Sequence, residues 1–145
     1  MRPVVTEITI QATPERVWNV LTDFDRYGEW SVFIREITGS PMVGSALRVV
    51  LSPKGKRGTT VRPRVSAAEA GRRFAWTGHL VHPFLFAGTH EFLLRADGHG
   101  RTRLIHAERF SGLLPAIVRK PPKGAHDGFS RFNDTLKARA ERFGA

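Results

Sequence analysis

The chain has 145 residues, contains no cysteine and carries a formal net charge of +10. This length suits one domain over residues 1–145, and the lack of cysteine excludes disulfide frameworks, thiolate nucleophiles and cysteine-based zinc sites. No apolar run approaches the ~20 residues that cross a bilayer, and no signal peptide is visible, so we expect a cytoplasmic protein.

The first three predicted elements are a strand and two helices. Residues 4–10 alternate between two faces, which predicts a strand with Val4, Thr6, Ile8 and Ile10 on one side. Thr13 can cap the next helix, and Pro14 suits its first turn because no backbone donor is needed there. Spacings of three and four predict one buried stripe on this helix, formed by Val17, Val20, Leu21 and Phe24. A short aromatic helix follows and ends at Trp30.

Six further strands are predicted after Trp30, at residues 33–38, 46–52, 59–68, 73–80, 88–96 and 102–111. Pro63 cannot donate to a ladder, so we expect an edge or a bulge within the fourth strand. Residues 97–100 read Asp-Gly-His-Gly and join the last two strands as a hairpin. Short connections between antiparallel strands indicate the α+β class and argue against a parallel nucleotide-binding sheet.

The chain ends in a predicted helix over residues 125–143, which is roughly 27 Å long. Large apolar side chains form one stripe along it, namely Phe129, Phe132, Leu136 and Phe143. Residues 121–124, Pro-Pro-Lys-Gly, interrupt the path from the last strand into this helix. The apolar segment 113–118 is therefore expected to form a separate short helix or flap.

Several loose motifs occur in order along nearly the whole chain: residues 12–18 (ATPERVW), 25–30 (DRYGEW), 43–45 (VGS), 74–78 (FAWTG), 88–92 (GTHEF), 102–104 (TRL) and 108–112 (ERFSG). In this arrangement the chain resembles the START-like superfamily, the polyketide cyclase/dehydrase and lipid transport proteins. The resemblance implies a helix-grip fold: a curved seven-stranded antiparallel sheet wrapped around the C-terminal helix, with two short helices after strand 1. It also implies an internal cavity. Members bind lipids, sterols, polyketides or hormones, and others cyclise or dehydrate their substrates.

This resemblance favours binding of a lipid-like or polyketide-like small molecule between sheet and C-terminal helix, with no cofactor. It places four aromatic side chains toward that space: Trp30, Trp76, Phe92 and Phe110. Phe129 and Phe132 of the helix stripe can serve both as core and as ligand wall. Phe84 and Phe86 belong to an apolar loop, residues 83–86, that can gate the entrance.

The last hairpin carries the strongest polar constellation. If a five-residue turn spans residues 97–101, His90 opposes Glu108 and Phe92 opposes His106. A buried imidazole beside a carboxylate can act as a general base, which gives an alternative function: a cyclase or dehydratase that uses His90 and Glu108, assisted by His106. A slip of one residue reverses the faces, and a structural or outward-facing His–Glu pair is the competing interpretation.

Other chemistries find less support. His90, His106 and Glu108 also match a two-histidine, one-carboxylate metal set, but we predict no metal site, because the chain has no helical HExxH pair. No P-loop or nucleophile elbow is present, and a nucleic-acid role is disfavoured because it depends on charge alone.

The net positive charge arises from the second part of the chain. Residues 1–50 carry a net charge of −1 and residues 51–145 a net charge of +11. The densest clusters are at residues 54–57 and 119–120. One interpretation is an arginine-rich solvated surface; another is a lipid carrier that docks on anionic membrane through its basic half and the 113–118 flap. The sequence leaves ligand identity and oligomeric state open.

Overall fold

The computed structural model of the chain describes residues 1–52, 57–79, 82, 84–117, 120, 121 and 123–142. The elements are, in order, β1 Val4–Ile10, α1 Pro14–Thr22, a 3₁₀ helix Phe24–Glu29, β2 Ile34–Thr38, β3 Arg48–Leu51, β4 Thr59–Val61, β5 Arg64–Glu69, β6 Arg73–His79, β7 Ala87–Ala96, β8 Thr102–Ser111, α2 Leu113–Ile117 and α3 Ala125–Arg142. The α+β class and the long C-terminal helix are confirmed.

The described strands form two antiparallel sheets, so the prediction of a single seven-stranded sheet is wrong. One sheet has the order β1-β8-β7-β6-β5 and the other has the order β2-β3-β4. The predicted fourth strand is divided into β4 and β5 at Pro63, because proline has no N–H to donate to a ladder. The sheets still meet there: the Leu47 N–H donates to the Pro63 carbonyl at 2.8 Å, and Ala46 and Arg64 form an isolated bridge.

The segment between β1 and β2 follows the predicted pattern. The Thr13 hydroxyl accepts a hydrogen bond from the Arg16 N–H at 3.2 Å and caps α1. Four side chains of the predicted stripe are buried, Val17, Val20, Leu21 and Phe24. The aromatic helix is a 3₁₀ helix that ends at Glu29, and its buried Tyr27 hydroxyl donates to the Leu21 carbonyl at 2.5 Å. Burial raises the pKa of Tyr27 well above its usual value.

Helix α3 packs its apolar stripe against the five-stranded sheet. Phe129, Phe132 and Leu136 are at most 2% exposed, as the spacing predicts. Gly128 allows a close approach, because a Cβ atom there would lie 2.5 Å from the Phe33 ring. Phe33 itself has a φ of 67°, a conformation that side chains other than glycine rarely adopt. The start of α3 thus packs at Gly128 against the ring of Phe33, just before β2.

Helix α2 occupies most of the predicted 113–118 flap. Several residues used in the sequence predictions lie outside the described residues: Lys54, Lys56, Leu80, Pro83, Val118, Arg119 and Phe143. Within the described part of the chain, no helix is long and apolar enough to span a membrane.

Candidate functional site

A cavity of about 560 Å³ opens between the two sheets, at the end of the molecule where β7 begins and β8 ends. The three-stranded sheet contributes side chains of β3 and β4, and the five-stranded sheet contributes side chains of β6, β7 and β8. The described lining residues are Leu51, Thr59, Thr60, Val61, Arg62, Pro63, Trp76, Gly78, His79, Phe86, Gly88, His90 and Glu108.

Two facing glycines create part of this space. Gly78 of β6 pairs with Gly88 of β7, and the next pair on the same face is Trp76 with His90. Because neither glycine carries a side chain, the wall above Trp76 and His90 stays open. A Cβ atom at Gly88 would lie 3.1 Å from Oε1 of Glu108, so the glycine also leaves room for that carboxyl group.

The register of the β7–β8 hairpin is the one that a five-residue turn predicts. His90 pairs with Glu108, Phe92 with His106, and the pairing continues to the turn. His90 and His106 are 3% and 0% exposed, so both imidazoles face the interior. The slipped register is therefore excluded for this hairpin.

A chain of buried hydrogen bonds runs from the cavity wall into the core. Nε2 of His90 lies 2.5 Å from Nε2 of His106, and Nδ1 of His106 lies 2.7 Å from Oδ1 of Asn133. The Asn133 amide donates to the Thr6 hydroxyl at 2.8 Å, and that hydroxyl donates to the His106 carbonyl at 2.9 Å. We call Thr6, Asn133, His106 and His90 the buried polar chain. Each of its members has a partner, which is what buried polar groups require.

Aromatic rings enclose the two histidines. The His90 ring stacks on Trp76 with centroids 4.6 Å apart, and the His106 ring stacks on Phe129 with centroids 4.2 Å apart. Burial lowers the pKa of His90 well below 6.5, and the neighbouring His106 lowers it further. Burial also lowers the pKa of His106 to about 3, although its hydrogen bond with Asn133 opposes the shift. Both imidazoles are therefore neutral near pH 7.

Glu108 is the titratable carboxyl group on the cavity wall. Its Oε2 atom lies 3.8 Å from Nδ1 of His90, and its side chain is 27% exposed. Burial raises the pKa of Glu108 from 4.5 to about 7. This carboxyl group can consequently hold or release a proton near neutral pH, within reach of an imidazole.

The aromatic residues that we predicted for ligand binding are divided between the cavity and other places. Trp76 and Phe86 line the cavity. Among the described residues, Phe92, Phe129 and Phe132 are not part of its wall, because their rings fill the space between sheet and helix and are at most 2% exposed. The cavity described here lies between the two sheets, whereas the sequence prediction placed the ligand between sheet and C-terminal helix.

The other three predicted aromatic residues lie outside this wall. Trp30 follows the 3₁₀ helix and packs against Phe132 with centroids 5.5 Å apart. Phe110 is half-buried and contacts the wall residue Phe86, with centroids 5.8 Å apart. Phe84 is 69% exposed on the surface.

Sequence reasoning missed Asn133 as a site residue, although a signal was present. Asn133 lies four residues after Phe129 and three before Leu136, so a polar amide interrupts an apolar helical stripe. Thr6 gives the same signal on the apolar face of β1. A polar residue on a buried face needs a hydrogen-bond partner in the interior. Asn133 and Thr6 bond to each other, and Asn133 also bonds to His106.

The two-histidine, one-carboxylate arrangement is not a chelating set in the described part of the chain. His90 and His106 direct their Nε2 atoms at each other rather than at a common point. No group of three or more histidine, aspartate or glutamate residues that could hold a metal ion occurs among the described residues.

The two-sheet scaffold around α3, with a cavity at one end, defines a helix-grip protein. The chain belongs to the family described as polyketide cyclase / dehydrase and lipid transport, whose model matches residues 1–141. The resemblance seen in the sequence is thereby confirmed. No curated protein matches the chain.

Three solved structures illustrate this similarity. Protein MLL2253 from Mesorhizobium loti is 27% identical, with 98% of each chain covered and a TM-score of 0.74. The Aha1 dimer from Colwellia psychrerythraea is 17% identical, with 97% of each chain covered and a TM-score of 0.70. The Zhui aromatase/cyclase from Streptomyces sp. R1128 is 18% identical, with 97% of this chain and 94% of that chain covered and a TM-score of 0.66. The last two share the fold.

Proposed function

We propose that the protein binds a hydrophobic small molecule, lipid-like or polyketide-like, in the cavity between the two sheets. The observation that carries the proposal is the composition of the wall: most of its surface is apolar, with Trp76, Phe86 and Leu51 among the contributors, and His90 and Glu108 stand side by side in its polar part, which also includes Thr59, Thr60, Arg62 and His79. Concave, mostly apolar sites with few polar groups are typical of small-molecule binding. The family to which the chain belongs is consistent with such a ligand.

A displacement variant tests this proposal with the apolar dye Nile red. Gly78→Val places a β-branched side chain on the cavity face of β6, at a position whose φ is not restricted to glycine. We expect the wild type to bind Nile red with enhanced fluorescence, and the variant to bind it at least about tenfold more weakly. Thr89→Val, on the opposite face of β7, is the matched control and should bind as the wild type does. Equal binding by all three proteins would contradict the proposal.

Native mass spectrometry of the freshly purified protein adds an independent test. A ligand retained from the cell should leave on denaturation, and its extraction identifies the chemical class. Gly78→Val should retain less of that compound than Thr89→Val does. Identical retention would show that the compound is held elsewhere.

A second candidate function is acid–base catalysis on the bound molecule, as in a cyclase or dehydratase. The specific observation in its favour is the pairing of Glu108, whose pKa is raised to about 7, with an imidazole nitrogen at 3.8 Å. A group whose pKa lies near the ambient pH can serve as the base in one step and as the acid in the next. His90 and Glu108 are the proposed acid–base residues, and His106 supports His90 from behind.

Deuterium uptake by acetylnaphthalene in D₂O tests this second candidate without knowledge of the natural substrate. A positioned base should accelerate exchange of the methyl protons by about a hundredfold or more over buffer. Glu108→Gln should lose the acceleration while still binding Nile red. Acceleration that persists in this variant would exclude Glu108 as the base.

A third candidate, membrane docking, is favoured by an exposed apolar patch beside the cavity mouth. Phe84, Leu113 and Leu114 are 69%, 51% and 39% exposed. The Leu113 N–H donates to the Phe84 carbonyl at 3.1 Å, so loop and helix α2 form one surface. Exposed Lys120 and Lys123 follow α2 and suit an anionic lipid surface.

Vesicle flotation tests this third candidate. We expect binding to vesicles that contain phosphatidylglycerol, weaker binding to pure phosphatidylcholine, and a decline with added salt. Phe84→Ser should reduce binding, whereas Met42→Ser, at an equally exposed apolar position outside the patch, should not. Binding that ignores lipid charge and salt would contradict this candidate. The single domain over residues 1–145 and the cytoplasmic location stay predictions.

A further inference from the structure

The buried polar chain has a fixed hydrogen-bond direction, which can be read from its deep end. The His106 carbonyl can only accept, so the Thr6 hydroxyl donates its proton to it. The Thr6 oxygen then accepts from Nδ2 of Asn133, and this contact orients the amide. Oδ1 of Asn133 consequently faces Nδ1 of His106 and acts as the acceptor there.

This direction determines the tautomers of both histidines. Because an amide oxygen only accepts, Nδ1 of His106 carries the proton of that neutral ring, and its Nε2 is bare. The 2.5 Å contact between the two Nε2 atoms needs one proton, which His90 must therefore supply. In a neutral His90 ring the remaining nitrogen, Nδ1, is then an acceptor, and it is the nitrogen closer to Glu108.

The cavity wall can thus receive a hydroxyl group. Nδ1 of His90 and Oε2 of Glu108 are 3.8 Å apart, too far for a direct hydrogen bond but close enough for one oxygen atom to bridge them. A ligand hydroxyl can donate to Nδ1 of His90 and accept from the protonated carboxyl of Glu108. A methyl ether has no proton to donate to Nδ1 of His90, and a carboxylate has none either, so its oxygen would face the lone pair of that nitrogen. Among the described residues of this wall, the other charged or titratable groups are Arg62 and His79, and both are exposed.

We infer that the buried polar chain holds His90 in the Nε2–H tautomer, so that the cavity selects ligands that carry a hydroxyl group, phenolic or alcoholic, on an apolar skeleton. Asn133 and Thr6 are positioning residues in this scheme, since they act on the ligand only through the two histidines. The inference deepens the proposed ligand-binding function and rests on it.

Three naphthalenes substituted at the same ring position test the ligand class by competition with Nile red. We expect naphthol to bind about tenfold more tightly than methoxynaphthalene, the usual contribution of one hydrogen bond, and more tightly than naphthoate. Equal or tighter binding of the ether or of naphthoate would overturn the inference, and tighter naphthoate binding would point to Arg62 instead.

Two variants test the positioning residues. Asn133→Leu removes the acceptor for Nδ1 of His106, so that His106 can donate from Nε2 and move the His90 proton to Nδ1. The preference for naphthol should then fall to about twofold or less. Thr135→Val, which removes a hydroxyl that donates to the carbonyl of Phe132 in the same helix, should keep the full preference. An unchanged preference in Asn133→Leu would refute the positioning role.

Proton–nitrogen correlation NMR of isotope-labelled histidine tests the tautomers in the unmodified protein. At neutral pH we expect a protonated Nε2 and a bare Nδ1 for His90, and the reverse for His106. A protonated Nδ1 on His90 would overturn the inference regardless of any ligand. If Nile red itself fails to bind, the proposed function fails, while this spectrum still decides the tautomer.

Discussion

The two ends of the β7–β8 hairpin share one sheet face but serve different purposes. Near the turn, Leu94 pairs with Leu104, and both are at most 4% exposed. At the open end, His90 pairs with Glu108 and Gly88 with Phe110. The same alternation of side chains directs both sets to the interior, so alternation alone does not distinguish the packed end of this face from the end that opens into the cavity.

The turn end of the hairpin contributes to the stability of the fold, whereas the open end contains groups whose burial is unfavourable. Leucine pairs at the turn end bury apolar surface without polar groups to satisfy. At the open end, Glu108 stays partly buried next to a cavity, and its raised pKa reflects unfavourable desolvation of the charge. Phe92 and His106 form the boundary pair between the two ends.

The largest effect is expected at the turn end. Leu104→Ala removes a fully buried side chain and leaves a void, so it should lower the free energy of unfolding by about 2–5 kcal/mol in urea titrations. Nile red binding by the folded variant should stay unchanged, because Leu104 is remote from the cavity wall. Ile105→Ala, on the other face of the same strand, is the control and should destabilise less. A loss of dye binding in Leu104→Ala would show that the two ends are not independent.

The next effect is expected at the boundary. Asn133→Leu leaves the buried Nδ1 atom of His106 without a hydrogen-bond partner in either tautomer, which should lower the free energy of unfolding by about 1–3 kcal/mol. Urea titration against Thr135→Val on the same helix measures it. A neutral or stabilising Asn133→Leu would mean that the buried polar chain is readily replaced by apolar packing.

The hairpin register could be predicted from the sequence because its information is local. A five-residue turn at residues 97–101 determines which residues of the two strands pair. The alternation of apolar residues along both strands agrees with that pairing. The capped first helix and the Phe129–Leu136 stripe were predictable for the same reason, since each depends on spacings within one element.

The cavity position was not predictable in this way. It depends on Pro63 dividing a strand and on β3 and β4 lining the same cavity as β6, which is an arrangement of distant segments. The rings of Phe92, Phe129 and Phe132 fill the helix–sheet interface, and no pattern within one element distinguishes a packed ring from a lining ring. The two partners of Asn133 were not predictable either, because Thr6 and His106 are far from each other and from Asn133 in the sequence.

A smaller effect should appear as a pH dependence of the free energy of unfolding, caused by Glu108 at the open end. Between pH 4.5 and about 7 the folded protein keeps a proton on Glu108 that the unfolded chain releases, so this group lowers stability as pH rises. The shift sets a ceiling of about 3 kcal/mol, and the partial exposure of Glu108 reduces the expected loss to about 1–2 kcal/mol.

Glu108→Gln isolates this contribution from that of the histidines. His90 and His106 act in the opposite direction, since their lowered pKa values destabilise the fold as the pH falls below 6.5. Both proteins contain them, so the difference in unfolding free energy between wild type and variant reports Glu108. It should move in favour of the variant as the pH rises from 4.5 to 7. A constant difference would mean that the Glu108 carboxyl is solvated like an ordinary one.

The smallest effect on stability is expected on the cavity wall itself, where the comparison between the two ends becomes sharpest. Phe86→Leu removes an aromatic contact with Phe110, but Phe86 is only half-buried, so the free energy of unfolding should fall by less than about 1 kcal/mol. Nile red affinity should nevertheless drop several-fold, because the ring is part of the lining. Leu104→Ala should show the reverse pattern, with a large loss of stability and no loss of binding. If both variants changed stability and binding in the same proportion, the packed end and the open end would be one cooperative unit, and the cavity would form only as a consequence of the core.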